Sequence, residues 1–192
     1  GHTLFVRTVA GLGTTVLAAH QVALSIESLA FMPAFGLGLA AATLVGQNLG
    51  SGLPARAQRA GWETARVGVA VMTLVGAVLF WGARGLVGLY SSDPRVVEMG
   101  AVALRVMAVV QPALAVSLAL AGALRGAGDT RWPLYGTALG MWLMRVGTGY
   151  LLAVPLGLGL AGAWGGMALD QTTRALIMAA RFSGGRWKSV RV

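Results

Sequence analysis

The sequence predicts an all-α polytopic membrane bundle, with about five full transmembrane helices plus part of a sixth. Three observations carry this. Charged residues make up 11% of the 192 and hydrophobic ones 56%, whereas a soluble domain carries about 25% charged residues. Mean hydropathy is +0.73, and apolar runs of about 20 residues, enough to cross a bilayer as helix, recur along the chain. The first run, AAHQVALSIESLAFMPAFGLGLAAATLVGQNLGSG at 18–52, holds a single carboxylate, Glu27. Ionising it in hydrocarbon costs at least ~2.5 kcal/mol unless something compensates.

The elements follow in order. Residues 3–15 are too short to cross alone and read as the end of one span. Residues 16–44 form the first complete span, long enough to tilt or bend, with Pro33 as its expected kink. Residues 50–61 read as a loop carrying Arg56 and Arg59, and Gln47 and Asn48 are placed at its edge as capping or gating groups. The second span is 62–81, followed by a mixed-sign turn at 91–95. The third is 96–120, where Gln111 precedes Pro112. A proline there frees a backbone carbonyl and suits a kinked, locally unwound helix with Gln111 in a cavity. Arg125 and Arg131 mark the next loop, 133–155 the fourth span, an uncharged turn the next connection, and 160–182 the fifth. Arg181, Arg186, Lys188 and Arg191 make the tail basic.

The basic connections alternate with poorly charged ones, so the positive-inside rule places the C-terminus in the cytoplasm of a cell (inner or plasma) membrane protein. Arg84 dissents and is expected to snorkel from a helix end. The chain starts at Gly1 with no basic stretch and cleavage site, so its beginning is not a signal peptide. It reads as a fragment of a longer protein.

The net charge of +9 is spread between apolar runs rather than clustered, which argues for loop and interface charges and against nucleic acid. RGAGDTR lacks the GK[ST] ending of a phosphate loop. There is no Cys, no HExxH, no Cys/His cluster and no nucleophile–base pair, so no enzyme, metal site or cofactor is expected. Small residues recur four apart. Gly136/Gly140 and Gly162/Gly166 lie within spans and are expected to pack helices closely. Gly46/Gly50 and Gly122/Gly126 lie at loop edges and read as turn formers. Met32, Met107, Met141, Met144, Phe31, Phe35, Trp142 and Tyr150 are candidates for a soft, adaptable binding wall, though most suit lipid or neighbouring helices better.

Glu27, Arg105, Arg145 and Asp170 fall near mid-depth on four different predicted helices, by a rise of 1.5 Å per residue. Intramembrane ionisable groups face the protein interior or a water-filled cavity and find partners. On the functional reading they form a protonation and substrate network: low dielectric favours the protonated carboxyl, and an organic cation competes with the proton for Glu27. On the structural reading they are buried pairs, Glu27 with Arg145 or Arg105, and Asp170 with Arg174 four residues on. Gln21 and His20 sit near the outer end of the first span, where His20 reads as an interface histidine.

Two segments, LVGQNLGSG at 44–52 after FMPAFGLGLAAAT and AGALRGAGDTRWP at 121–133 after VVQPALAVSLAL, together with the tail GAWGGMALDQTTRALIMAARFSGGRWKSV, resemble the multidrug and toxic compound extrusion (MATE) family, especially its DinF-like branch. The resemblance covers essentially the whole chain. It implies twelve helices in two six-helix lobes, of which residues 1–192 resemble the C-terminal lobe, with the N-terminal lobe absent. It also implies a secondary-active antiporter exporting organic cations or other amphipathic drugs in exchange for H⁺ or Na⁺. Its sites are expected near the midplane between repeats: Glu27, Gln111, Arg145 and Asp170 as ion-coupling or cavity residues, and Gly46, Gln47, Gly50, Arg125, Gly126 and Asp129 as loop and gating positions. The sodium-coupled branch carries an Asp where Leu114 stands here, so the resemblance points to H⁺ rather than Na⁺. The alternatives are a lipid-linked precursor flippase of the same superfamily, whose cationic cavity Arg105, Arg145 and Arg174 would suit, and an integral-membrane enzyme acting on lipid head groups.

Overall fold

The computed structural model describes residues 2–189, and among these all regular structure is helical. The helices are α1 His2–Gly11, α2 Thr14–Gly50, α3 Pro54–Gly88, α4 Pro94–Gly126, α5 Arg131–Leu139, a π-helical segment Gly140–Thr148, α6 Gly149–Ala153 and α7 Gly159–Ser183, followed by a short 3-10 turn, Arg186–Ser189. The molecule is an all-α membrane helical bundle. By length and composition α2, α3 and α4 are each long and apolar enough to cross a membrane. The fourth expected span is subdivided by its π-helical segment, and the fifth is α7.

The helices overrun the expected loops. Asp93 caps α4 by accepting the Arg95 N–H at 2.8 Å, and Pro54 and Pro94 stand at the first helical positions, where the missing N–H costs nothing. Arg56 and Arg59 therefore belong to the first turns of α3. Gly46, Gln47, Asn48 and Gly50 are likewise the last turns of α2, not a loop, and Asn48 Nδ2 donates back to the Leu44 carbonyl at 2.7 Å. The actual turn formers are Gly52 (φ 70°) and Gly128 (φ 81°). After each, the next N–H reaches back over the helix end: Leu53 to the Asn48 carbonyl at 2.9 Å, Asp129 to the Leu124 carbonyl at 2.8 Å. This Schellman closure needs a residue at positive φ, which glycine supplies without strain. Both α2 and α4 continue as helix through Pro33 and Pro112, so the unwinding expected at Pro112 does not occur. Arg84 does not simply snorkel: it pairs with Glu98 across the α3–α4 turn at 2.6 Å, both side chains being more than half exposed.

The chain divides into two compact units: Gly1–Phe31 with Leu74–Val110 and Leu139–Asp170, and Met32–Thr73 with Gln111–Ala138 and Gln171–Val192. The first has a core of Phe5, Val9, Leu104, Met107 and Trp164 within many alanines. In the second, Phe182 stacks on Trp187 at 4.6 Å and meets Trp62 edge-on at 5.8 Å, and Trp187 Nε1 donates to the Phe182 carbonyl at 2.7 Å.

Lipid gives helices no hydrophobic reason to associate, so contact relies on small residues that let backbones meet. In the second unit α2 and α4 meet this way. A Cβ on Gly38 would lie 2.9 Å from the Leu118 carbonyl oxygen and one on Gly46 3.1 Å from that of Gly126, while Cβ atoms on Gly122 and Gly126 would overlap the backbones of Gly38 and Ala42. Gly46, Gly122 and Gly126 are thus packing residues rather than turn formers. In the first unit Gly162 and Gly166 play the role expected of them, pressing against Leu152 and Gly149.

Gly122→Val is expected to destabilise the protein by about 1–3 kcal/mol or more through overpacking, read as a lower unfolding temperature in detergent. Gly85→Ala, whose methyl meets nothing within 4 Å, is expected to leave that temperature unchanged. Equal stability of the two variants would rule out a tight crossing at Gly122.

Candidate functional site

Three of the expected mid-depth charges come together in the first unit. Glu27 on α2 is 8% exposed and Asp170 on α7 is fully buried. Arg145, on the π-helical segment, places Nε 2.9 Å from Asp170 Oδ2, and its side chain is 15% exposed. Arg145 is also the charge that acts on Glu27. Among the described residues Glu27 itself makes neither a direct ion pair nor a hydrogen bond.

The backbone explains how Arg145 arrives there. The Gly149 N–H bonds to the carbonyls of Met144 and Val146, and the Thr148 hydroxyl also donates to the Met144 carbonyl. The reach from Gly149 to Met144 adds one residue to the turn, the mark of a π-helix, a rare form frequent at functional sites. Helix α7 then packs onto this wider turn. A Cβ on Gly166 would overlap Gly149 and lie 3.2 Å from the Arg145 carbonyl, and one on Gly162 would lie 2.6 Å from that of Leu152. Glycines on both sides therefore bring Arg145 beside Asp170.

The remaining expected residues have surroundings of their own. Arg105 donates to the Phe80 carbonyl at 3.3 Å and lies 6.0 Å from the centre of the Phe80 ring. Gln111 belongs to the second unit. It is fully buried, and neither atom of its amide finds a hydrogen-bond partner among the described residues. Arg174 lines a small cavity of about 70 Å³ in that unit with Arg125, Ser117 and Thr137. Asp129 is pinned by Arg181, whose Nη2 and Nε lie 2.7 and 2.8 Å from one carboxylate oxygen. Arg181 also covers the Trp132 ring at 5.2 Å. Of the adaptable wall, Met107 is core, whereas Met32, Phe35, Trp142 and Tyr150 are exposed. Tyr150 joins Leu4, Arg7, Thr8 and Val146 around an open cavity of about 540 Å³ in the first unit.

One residue was misread from sequence. His20 is not at an interface: it is 1% exposed, accepts a hydrogen bond from Trp164 Nε1 at 3.1 Å and meets the Phe5 ring edge-on at 5.8 Å. Its seven-residue spacing from Glu27, two helical turns on one face, is the signal that would have placed it inside.

Residues 2–151 match the family model described as MatE. The chain is 42% identical over 188 residues to the multidrug resistance protein NorM of Burkholderia vietnamiensis, covering 94% of this chain and 41% of that protein. It thus spans about two fifths of that relative's length. It also resembles the crystal structure of the eukaryotic MATE transporter AtDTX14, with 28% identity, TM-score 0.82, and coverage of 90% of this chain and 38% of that one. An inward-facing multidrug resistance MATE family transporter of the MOP superfamily shares the fold at 19% identity and TM-score 0.84, over 93% of this chain and 40% of its own.

Arg145→Met leaves Asp170 buried without its 2.9 Å partner and is expected to cost about 3–5 kcal/mol, measured as a drop in thermal stability in detergent. Arg145→Met with Asp170→Leu is expected to recover most of that loss. A single variant with parental stability would show the pair to be dispensable for folding.

Proposed function

The chain belongs to the MatE family, and on that premise we propose that it acts as one lobe of a secondary-active multidrug exporter in a cell membrane. It exchanges organic cations or other amphipathic compounds for protons by alternating access. One observation carries the coupling role: Glu27 is a buried carboxylate inside a membrane span with no direct partner among the described residues, while its neighbour Arg145 is engaged with Asp170. A buried carboxylate of this kind is neutralised by a proton or by a cationic ligand. Occupancy by one excludes the other, which is the exchange an antiporter needs.

The Arg145–Asp170 pair has a different part, holding the π-helical segment against α7 so that the positive charge acting on Glu27 stays in place. Gln111, with both amide atoms unsatisfied, supplies a polar point for a substrate or a water in the second unit. The flippase alternative calls for a cationic lining, whereas Arg145 is engaged with Asp170 and Arg105 with the Phe80 carbonyl. The head-group enzyme calls for acid and base groups gathered at an interface, whereas Glu27 and Asp170 are buried in spans.

Orientation follows from charge. The second unit holds ten basic and two acidic residues, the first five and four. The turns at 51–53 and 127–130 and the C-terminus belong to the second unit, and we place them in the cytoplasm. A six-helix lobe of this family is proposed to work against a second such lobe, in keeping with the two fifths of NorM that the chain matches.

Glu27→Gln, which keeps shape and removes ionisation, is expected to abolish drug-induced proton release from proteoliposomes containing the full-length transporter. Drug binding should fall about tenfold or more, the weight of one buried charge interaction of about 1.5–3 kcal/mol. Unchanged proton movement in this variant would remove Glu27 from the coupling mechanism.

A further inference from the structure

The His20–Trp164 contact plays no part in the mechanism above, yet its chemistry is determined by its atoms. An indole N–H only donates, so the imidazole nitrogen facing it, Nδ1 at 3.1 Å, must present its lone pair. The ring is then neutral, with its one proton on Nε2. The contact is closed off from solvent: His20 is 1% exposed, Trp164 0% and Phe5 2%. The three rings stand edge to face, with centroids 5.8 Å apart in each pair. This bond ties α2 to α7. It also lies on the same face of α2 as Glu27, two turns and about 10 Å along the axis.

We propose that His20 is a second proton-binding site, and that its protonation unlatches α2 from α7. A proton from water adds to the Nδ1 lone pair, while the proton on Nε2 stays. The imidazolium then presents an N–H to the indole N–H, two donors face each other, and the bond is lost. Among the described side chains, the ionisable residues on the surrounding helices of this unit are Arg7 on α1, Glu27 on α2, Arg84 on α3, Arg95, Glu98 and Arg105 on α4, Arg145 on the π-helical segment, Tyr150 on α6 and Asp170 on α7. Two of the acids are already paired, Glu98 with Arg84 and Asp170 with Arg145. Glu27 is therefore the acid positioned to exchange a proton with His20 through water. His20 is a positioning residue here: it governs when α2, which carries Glu27, separates from α7. For its place in transport the proposal rests on the proton-coupled reading; the latch chemistry does not.

The test uses ring-¹⁵N-histidine-labelled protein in detergent. The chain has two histidines, so His2→Ala leaves His20 as the single probe, and Trp164→Phe identifies the Trp164 indole N–H signal. The expected result is an Nε2–H imidazole at pH 8 whose protonation on acidification moves the Trp164 indole signal in the same pH range. An Nδ1–H imidazole, an imidazole that stays neutral down to pH 5, or a protonation that leaves the indole signal in place would each overturn the latch. In proteoliposomes, His20→Gln keeps an acceptor for Trp164 but cannot titrate, and is expected to flatten the pH profile of drug efflux relative to the parent's. A pH profile identical to the parent's in both His20→Gln and Trp164→Phe would overturn the coupling of the latch to transport. Drug efflux in the parent that moves no protons, with the NMR result intact, would instead sink the antiport reading and leave the latch standing.

Discussion

Close approach of helix backbones at glycine is the constraint on which the rest of this structure depends. Between helices in lipid there is no hydrophobic gain to bring them together, so association depends on packing and on polar contacts. At Gly38, Gly122 and Gly126 the backbones of α2 and α4 come nearer than any Cβ permits, and Gly162 and Gly166 do the same where α7 meets α6. The second crossing has a chemical consequence. It presses α7 onto the π-helical turn that carries Arg145, and thereby sets the 2.9 Å contact between Arg145 and the fully buried Asp170.

With that pair in place, the buried charges separate by role. Asp170 is neutralised by geometry and Glu27 by whatever occupies it. His20 adds a neutral group whose hydrogen bond depends on its protonation state. Basic residues are concentrated in the other unit, where Asp129 is held by Arg181 under the Trp132 ring.

Much of this was legible in the residues. The apolar runs identified each helix, and mid-depth counting picked out Glu27, Arg145 and Asp170 before any contact was known. The two loop motifs pointed to the MatE family, although the relative described above carries the NorM name and the motifs read as DinF-like. Helix ends were the weak point. Gln47, Asn48, Arg56 and Arg59 look like loop residues because they are polar, yet they continue α2 and α3 beyond the apolar stretch. Polarity reports where a helix leaves lipid, not where its hydrogen bonding stops. Gly122 and Gly126 misled for a related reason: beside Gly128 they resemble a turn, and only the neighbouring backbone of α2 shows that they are there for closeness.

The sequence by itself determined the helical class, the membrane setting and the family, because hydropathy and residue order are properties of the chain alone. It also picked out the few carboxylates and arginines proposed above as coupling groups. Tertiary structure decided the pairings. It set Arg145 against Asp170 through a π-helical turn, withdrew Arg105 to the Phe80 carbonyl, left Glu27 without a direct partner among the described residues and buried His20 under Trp164. Which charge meets which depends on helix rotation and on distances of a few ångströms, and these are fixed only when small residues from distant parts of the chain come into contact.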